Sequence, residues 1–398
     1  MTAGIIADIS SNLRLYFLIA FVIGVAVYLW FERKKFDRHG IFFVRRTQKG
    51  LEEIDRVAKK FPRFWKWYGN LGVVTGVLSM IISTVGIGYA FYEMLATKTV
   101  QNGPSLILPG AVSQAKIQPG VSFIPAEYYL VAIAILVTVH ELSHGVIARR
   151  LDIDLKSIGY GFLAVIPIGF VEPEGDKSME GEDLSVEAWE IDDWMAKVKV
   201  ACAGSFANYL TAALFLVLAF GTVSAVTTPS DVYYNAQQGY PAAKAGMDNG
   251  TIVQINGQDV DTVDQLRNVT ADVKPGDNVT LWTSEGNFTI TTVSKEGYDG
   301  GYLGILIGRT TVVKEGLDPY TSYLNWLIGL FYMVANLNFL IGLFNMLPIR
   351  PLDGGLVMEA VIQRYLGEEK IDYLNKFTLF VWILLLGAIL LGIASTFL

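Results

Sequence analysis

The sequence predicts an α-helical polytopic membrane protein of about six transmembrane helices, with one small soluble α+β domain inserted between them. Of its 398 residues, 52% are hydrophobic and only 17% are charged, whereas soluble domains average about 25% charged residues. The apolar residues form long uncharged runs, which are typical of membrane spans. A polar segment over residues 227–312 breaks this pattern and is long enough to fold as a small domain.

Six apolar runs are long enough to cross a bilayer, which takes about 20 helical residues. They lie at roughly residues 13–31, 69–92, 127–148, 200–226, 327–349 and 377–398. From Leu356 to Lys376, apolar residues recur at helical spacing among charged ones. This pattern predicts an amphipathic helix on the cytosolic membrane surface.

The distribution of lysine and arginine predicts the orientation of the chain. The loop between the first two runs is densely basic and includes Arg33, Lys34, Lys35, Arg45 and Arg46. The positive-inside rule places this loop in the cytosol. The N-terminus and the polar segment 227–312 are then expected outside a cell membrane. The net charge of −7 argues against nucleic acid as a partner and leaves the lipid bilayer as the expected surroundings.

The third apolar run leads into the string His140-Glu141-Leu142-Ser143-His144. On a helix, positions i and i+4 share a face, so both imidazoles can reach one metal ion. Glu141 stands beside them as a candidate to take a proton from an attacking water. A charge near the bilayer centre costs at least about 2.5–3.5 kcal/mol, so such groups usually mark function. The alternative is a pair of structural histidines at a helix end.

Asp353 is the candidate third ligand, because a catalytic zinc site usually has three protein ligands. His39 lies in the basic loop, and Cys202, the single cysteine, lies in an apolar run, where such residues usually act as small hydrophobes. Asp353 follows an uncharged run in Asn345-Met346-Leu347-Pro348-Ile349-Arg350-Pro351-Leu352-Asp353-Gly354-Gly355, whose prolines and glycines predict an interrupted helix. Two histidines and one carboxylate favour one Zn²⁺ per chain. Alternatively, Asp353 only caps a helix.

The two strings together resemble the site-2 protease family of intramembrane zinc metalloproteases. Members pair a membrane-embedded HExxH helix with a later N-x-x-P-x-x-x-L-D-G helix, and here the resemblance covers residues 127–226 and 327–356. It implies that His140, His144 and Asp353 hold zinc, that Glu141 is catalytic and that Asn345 holds the substrate strand. The chain departs from the family where Arg350 stands in place of a frequent proline.

The string Gly204-Ser205-Phe206-Ala207-Asn208 resembles a G-P-x-x-N string of the family but lacks the proline. Asn208 is therefore a candidate substrate-binding residue or, equally, a helix-packing asparagine. Segment 157–171 is too short and broken for a span. The resemblance implies a strand hairpin beside the active site, with Gly169 a candidate substrate contact, because a substrate helix must unwind and could then pair with an exposed strand edge. The alternative is an interfacial loop.

The polar segment alternates apolar and polar residues, for example over 251–255 and 278–283, with glycine turns between them, which predicts strands. From residue 239 to 257 it resembles a PDZ domain of bacterial proteases. The resemblance implies that Tyr302, Leu303, Gly304 and Ile305 form the loop that receives a C-terminal carboxylate, with the next strand pairing with the peptide. The alternative is a steric gate that binds no peptide.

These features predict five consecutive regions. They are two transmembrane helices with a basic cytosolic loop (1–126), the first part of the catalytic membrane core (127–226), the PDZ-like domain (227–312), the second part of the core with the amphipathic helix (313–376) and a last transmembrane helix (377–398).

The resemblance implies hydrolysis of peptide bonds within the transmembrane segments of single-pass proteins already trimmed by another protease, such as an anti-sigma factor or a membrane-tethered regulator. The active site is expected toward the cytosolic side. Two alternatives are a transporter, since intramembrane His and Asp also mark ion pathways, and an inactive scaffold that binds partners through the external domain. Neither the transporter nor the scaffold would need a glutamate at position 141 between two histidine ligands.

Overall fold

The computed structural model describes residues 2–101, 103–173, 193–295, 297–314 and 316–396. The chain divides into two compact units, one formed by Met1–Ala219 with Gly329–Leu398 and the other by Phe220–Ile328.

Long helices dominate the first unit, and two short helices lie in the described part of the second. The α-helices of the described residues are α1 (Thr2–Glu32), α2 (Leu51–Lys60), α3 (Pro62–Thr97), α4 (Ala126–Arg150), α5 (Trp194–Val226), α6 (Pro241–Lys244), α7 (Val263–Thr270), α8 (Thr321–Asn345), α9 (Asp353–Tyr365) and α10 (Ile371–Ser395). Six of them, α1, α3, α4, α5, α8 and α10, are long and apolar enough to cross a membrane. This confirms the six spans expected from the apolar runs, and the protein is a multi-pass membrane protein.

Two helix boundaries differ from the sequence prediction. The fifth apolar run was expected to stay helical to residue 349, but α8 ends at Asn345 and the next helix starts at Asp353. The break is the predicted interruption, since proline has no amide hydrogen for a helix. The prediction of one surface helix from 356 to 376 is wrong. Gly367 has a φ of +93°, a positive value that favours glycine and interrupts a right-handed helix, so α9 and α10 are separate.

The described residues of the first unit also form six strands. They are β1 (Asp37–His39), β2 (Phe42–Thr47), β3 (Leu106–Gly110), β4 (Val121–Pro125), β5 (Leu155–Leu163) and β6 (Ile166–Pro173). Strands β3 and β4 form a parallel pair. The other four form one antiparallel sheet in the order β1-β2-β5-β6. The hairpin expected over 157–171 is therefore present, and two strands from the basic loop, which the sequence did not predict, extend its sheet.

A face of small residues lets α3 pack closely against the core. Its buried positions recur every three or four residues at Gly69, Gly72, Gly76, Ser79 and Ser83. A Cβ atom on Gly76 would lie 2.5 Å from Cys202 Sγ on α5, so the two helices meet where α3 has no side chain. Cys202 is fully buried in an apolar cluster with Val198 and Met346, as expected of a small hydrophobic residue.

The second unit is a sheet-containing domain. Its strands are β7 (Thr227–Ala236), β8 (Asn249–Ile255), β9 (Gln258–Asp259), β10 (Asn278–Thr283), β11 (Gly286–Thr291), β12 (Val293–Lys295), β13 (Tyr298–Tyr302) and β14 (Ile305–Val313). The main sheet has the order β11-β10-β8-β7-β14. Its apolar core contains Tyr234, Ile252 and Leu281, each almost fully buried. A capping box at Thr262 and Gln265 starts α7 and satisfies amides that have no partner within the helix.

Candidate metal centre

The helix break and α4 bring the three predicted ligands together. His140 and His144 lie on one buried face of α4, and Asp353 is the first residue of α9. His140 Nε2 lies 3.2 Å from Asp353 Oδ2, and His144 Nε2 lies 3.6 Å from Asp353 Oδ1. One ligand atom from each residue lies within 4.8 Å of the others. Two imidazoles and one carboxylate are the donors of many catalytic zinc sites.

The carboxylate of Asp353 fits a metal ligand rather than a helix cap. Its Oδ2 atom is buried and, apart from the 3.2 Å approach to His140 Nε2, has no hydrogen-bond partner among the described residues. A buried carboxylate oxygen without a partner is costly, and coordination to a cation would satisfy it. The N-cap of α9 is Leu352, and no side chain caps the helix. The residues present therefore fit a zinc ion.

Space for the ligand atoms depends on Gly204, a residue of α5 that sequence reasoning did not assign to the site. A Cβ atom at this position would lie 2.4 Å from His144 Nε2 and 2.7 Å from His140 Nε2. Ser143, between the two histidines, donates a hydrogen bond of 2.9 Å to the Ala203 carbonyl and ties α4 to α5 at this point. In the sequence, the indication of this role was the glycine at the start of the string 204–208.

Hydrogen bonds at Nδ1 orient both imidazoles. His144 Nδ1 lies 2.7 Å from the Val200 carbonyl oxygen; since a carbonyl only accepts, Nδ1 carries the proton and Nε2 is left for the metal. His140 Nδ1 lies 3.1 Å from Asn208 Nδ2. Asn208 is fully buried, and its Oδ1 has no hydrogen-bond partner among the described residues. If the amide presents Oδ1 to His140, both groups are satisfied. Asn208 is then a positioning residue for a ligand.

Asn208→Leu is expected to weaken zinc binding by about 10- to 100-fold, as is usual when the partner of a ligating histidine is removed. Zinc competition against a chromogenic chelator in detergent solution measures the change. Asn338 offers a matched control, because it is equally buried but its amide donates to the Val334 carbonyl within α8. Asn338→Leu should leave zinc affinity unchanged. Equal zinc affinity in Asn208→Leu and wild type would contradict the assignment.

Glu141 is held by strand β6. Its Oε2 accepts a hydrogen bond of 3.1 Å from the Val171 amide. A Cβ atom on Gly169 would lie 2.6 Å from Val137 Cγ1 and 3.3 Å from Glu141 Cγ, so β6 can approach α4 this closely because residue 169 has no side chain. The structure thus places Gly169 directly beside Glu141, and the Val171 amide is a contact that the sequence did not reveal.

Asn345 also reaches the site. It is the last residue of α8, and its Nδ2 atom lies 3.4 Å from His140 Nε2. The other four candidate residues, Tyr302, Leu303, Gly304 and Ile305, belong to the second unit, where they connect β13 to β14.

The model of Peptidase family M50 matches residues 128–386, which include the whole metal centre. The chain belongs to peptidase family M50. An uncharacterized protein of Methanocaldococcus jannaschii is 24% identical over 404 residues, which cover 95% of this chain and 97% of that protein. A candidate zinc metalloprotease of Clostridium perfringens is 25% identical over 225 residues, covering 50% of this chain and 65% of that protein. One of Campylobacter jejuni is 27% identical over 168 residues, covering 37% and 45%.

Family membership confirms the resemblance to site-2 proteases and identifies the chain as a membrane zinc metallopeptidase. It favours this activity over the transporter and scaffold alternatives. The match to family M50 begins at residue 128, so the helices α1, α2 and α3 and the strands β1, β2, β3 and β4 lie before it.

Proposed function

We propose that this M50 metallopeptidase hydrolyses peptide bonds within the transmembrane segments of single-pass membrane proteins, with His140, His144 and Asp353 as its zinc ligands and Glu141 as its proton acceptor and donor. The observation that carries the proposal is the convergence of the three ligand atoms within 4.8 Å between helices long enough to cross a bilayer.

The chemistry is divided between the metal and the side chains around it. Zinc bound there supplies a Lewis acid that polarises the scissile carbonyl and acidifies the attacking water. Glu141 takes the proton of the water and passes it to the leaving amine. The Val171 amide, 3.1 Å from Oε2, keeps the carboxylate oriented toward the centre. Asn345, beside His140, is placed to hold the substrate backbone.

Strand β6 is the proposed site of substrate pairing. A transmembrane helix has its peptide bonds hydrogen-bonded and must unwind before hydrolysis. In the described sheet β6 pairs with β5 alone, so an added strand could pair with its other edge, apart from the Val171 amide that donates to Glu141. Gly169 lies on this strand next to Glu141, so a chain added there would lie near the proposed proton acceptor.

The second unit is proposed to be a PDZ-like domain that receives the trimmed end of the substrate. Ile305 of β14 is paired with Ala236 of β7. The Ala236 amide donates to the Asp248 carbonyl, on the side of β7 that faces away from β14. In an antiparallel ladder, the backbone amides of two paired residues either bond to the partner strand or both point away from it. Because the Ala236 amide points away from β14, the Ile305 amide points away from β7, to the outer edge of β14. Gly304 has a φ of +81°, and a Cβ there would lie 2.2 Å from Tyr240 Cβ. Both features suit a loop whose backbone amides bind a carboxylate.

A lysine beside this loop complements a carboxylate. Lys295 Nζ lies 3.9 Å from the centroid of the Tyr302 ring and 5.1 Å from that of Tyr240. Interaction with the Tyr302 hydroxyl raises the pKa of Lys295 above its ordinary value, so the ammonium stays charged at neutral pH. A positive charge here would attract the free C-terminus of a trimmed protein.

The orientation is proposed from the basic residues of the loop between α1 and α3. The positive-inside rule puts the N-terminus and the PDZ-like domain outside, and the metal centre toward the cytosolic side. Substrates trimmed outside by another protease, such as an anti-sigma factor or a membrane-tethered regulator, would then release a cytosolic fragment.

Proteolysis in liposomes tests the proposal. Single-pass substrates with an outward C-terminus are offered in three forms, with a folded ectodomain, trimmed with a free carboxylate, and trimmed with an amidated end. We expect cleavage of the trimmed carboxylate form to be at least about tenfold faster than of the other two, since a charge-assisted contact contributes about 1.5–3 kcal/mol. Equal cleavage of the two trimmed forms would reject carboxylate binding and favour steric gating. Failure of zinc-loaded protein to cut any membrane-embedded form would reject the proposed function.

A further inference from the structure

The N-terminal segment before the family match contributes to the sheet at the active site. Strand β2 pairs with β5 along its whole length, from Phe42 opposite Leu163 to Thr47 opposite Ile158. The sheet then continues to β6, which holds Glu141 through the Val171 amide. A segment outside the matched residues therefore stands two strands away from the proposed proton acceptor.

A buried ion pair connects β2 directly to β6. Glu172 follows Val171 in β6 and is only 2% exposed. Its Oε2 lies 3.2 Å from Arg46 Nε and accepts a 2.7 Å hydrogen bond from the Ser157 hydroxyl. Lys156, whose side chain is 46% exposed, approaches Oε1 to 3.3 Å. A buried carboxylate needs such compensation, so the end of β6 is fixed where Arg46 and Ser157 can reach Glu172.

The guanidinium of Arg46 is itself fixed on its other sides. Its NH1 atom lies 2.6 Å from Asp37 Oδ2 on β1. Its carbon atom Cζ lies 6.0 Å from the ring centroid of Phe170, another residue of β6. Arg46 is thus held by β1 and contacts two residues of β6, Phe170 and Glu172, which lie immediately before and after Val171.

The same N-terminal segment also holds the catalytic helix. Ile54 and Ala58 of α2 pack against Val146 of α4. Asp55 lies 2.8 Å from Arg149 NH2, and hydrogen bonds from Lys59 and Arg149 lower the pKa of Asp55 below its ordinary value. Because one segment contacts both α4 and β6, it can set the separation between Glu141 and the Val171 amide.

We propose that Arg46 and Glu172 are positioning residues for peptide hydrolysis. The pair fixes the end of β6 against α4, so that the Val171 amide orients Glu141 and the edge of β6 stays aligned with the metal centre. This inference rests on the proposed function, in which Glu141 moves the proton and β6 receives the substrate strand. Without Arg46, Glu172 keeps only Ser157 and the half-exposed Lys156, and the end of β6 shifts to hydrate the carboxylate.

The test uses full-length protein in liposomes with the trimmed substrate. Arg46→Met is expected to lower kcat by about tenfold, a partial loss of the 10²–10⁴-fold that general acid–base catalysis contributes, with KM and zinc content unchanged. Arg46→Lys should restore most of the rate, since a lysine can pair with Glu172. Glu172→Gln in the Arg46→Met background should cost no further activity, because the buried charge is then gone. Arg56→Met, on the exposed face of α2, is the control and should match wild type.

Hydrogen–deuterium exchange separates this inference from the proposed function, because it needs no substrate. In zinc-loaded protein, Arg46→Met should raise exchange in peptides covering 166–173, and Arg56→Met should not. Unchanged exchange in β6, a wild-type kcat, or a loss of zinc that parallels the loss of rate would each overturn the positioning role. If wild type cleaves no membrane substrate while exchange in β6 responds as expected, the proposed function fails and the structural coupling holds.

Discussion

Glu141→Gln abolishes peptide hydrolysis but leaves zinc bound, as the geometry of the site leads us to expect. Glutamine keeps the size of the side chain, and its carbonyl oxygen can still accept the Val171 amide that now lies 3.1 Å from Oε2. An amide cannot take up a proton at neutral pH, however, and general acid–base catalysis typically contributes 10²–10⁴-fold. The ligand atoms converge from His140, His144 and Asp353, so the substitution spares the metal set.

Cleavage of the trimmed substrate in liposomes and metal content of the purified protein are measured together for this variant. We expect kcat to fall by at least about 100-fold, with stoichiometric zinc retained. Asp353→Asn is the contrasting variant and should lose zinc and activity together, because a neutral amide is a poor replacement for a carboxylate ligand. A Glu141→Gln protein that cleaves within tenfold of wild type would exclude Glu141 as the proton acceptor.

The second large effect, on stability, is expected at a cluster of buried charges beside the segment that links α8 to α9. Glu359 is fully buried, and its Oε1 lies 2.9 Å from the Nζ of Lys197, which is 1% exposed. Its Oε2 accepts a hydrogen bond from Arg350, whose carbonyl in turn accepts a 2.8 Å hydrogen bond from Trp382 Nε1. The cluster therefore joins α5, α9 and the segment between α8 and α9 that leads to Asp353.

Glu359→Ala leaves Lys197 and Arg350 without their shared carboxylate, and breaking a buried pair in this way destabilises a protein by about 3–5 kcal/mol. The thermal unfolding midpoint in detergent should fall on the order of 10 °C, and zinc affinity should fall with it, because Asp353 begins α9. Glu368→Ala, at an exposed position, is the control and should change the midpoint little.

Replacement of the whole cluster distinguishes charge from packing. The triple variant Lys197→Met, Arg350→Met and Glu359→Leu removes the three charges of this cluster together, and apolar replacement of buried ionic groups is often neutral or stabilising. The triple variant should therefore be more stable than Glu359→Ala. If it is equally unstable, the loss comes from packing, and the ionic interpretation of the cluster is wrong.

Arg350 is a residue whose role could not be predicted from the sequence motifs alone. In the sequence it is a departure from the family pattern, at a position where a proline is frequent. In the structure its side chain pairs with Glu359, nine residues further along the chain. Gly204 is similar, because the sequence shows a glycine in a familiar string, but only the packed helices show that a Cβ would meet both ligand imidazoles.

The sequence by itself determined the features that depend on local periodicity and composition. Apolar runs gave the six membrane-spanning helices, the i, i+4 spacing put His140 and His144 on one face of α4, and the prolines after Asn345 broke the helix before Asp353. Only the tertiary structure decided which distant groups meet. Arg46 and Glu172 are 126 residues apart, and the Val171 amide and Glu141 are 30 apart. Such contacts cannot be predicted from sequence periodicity, because they depend on how separate helices and strands pack and not on the secondary-structure propensity of any one of them.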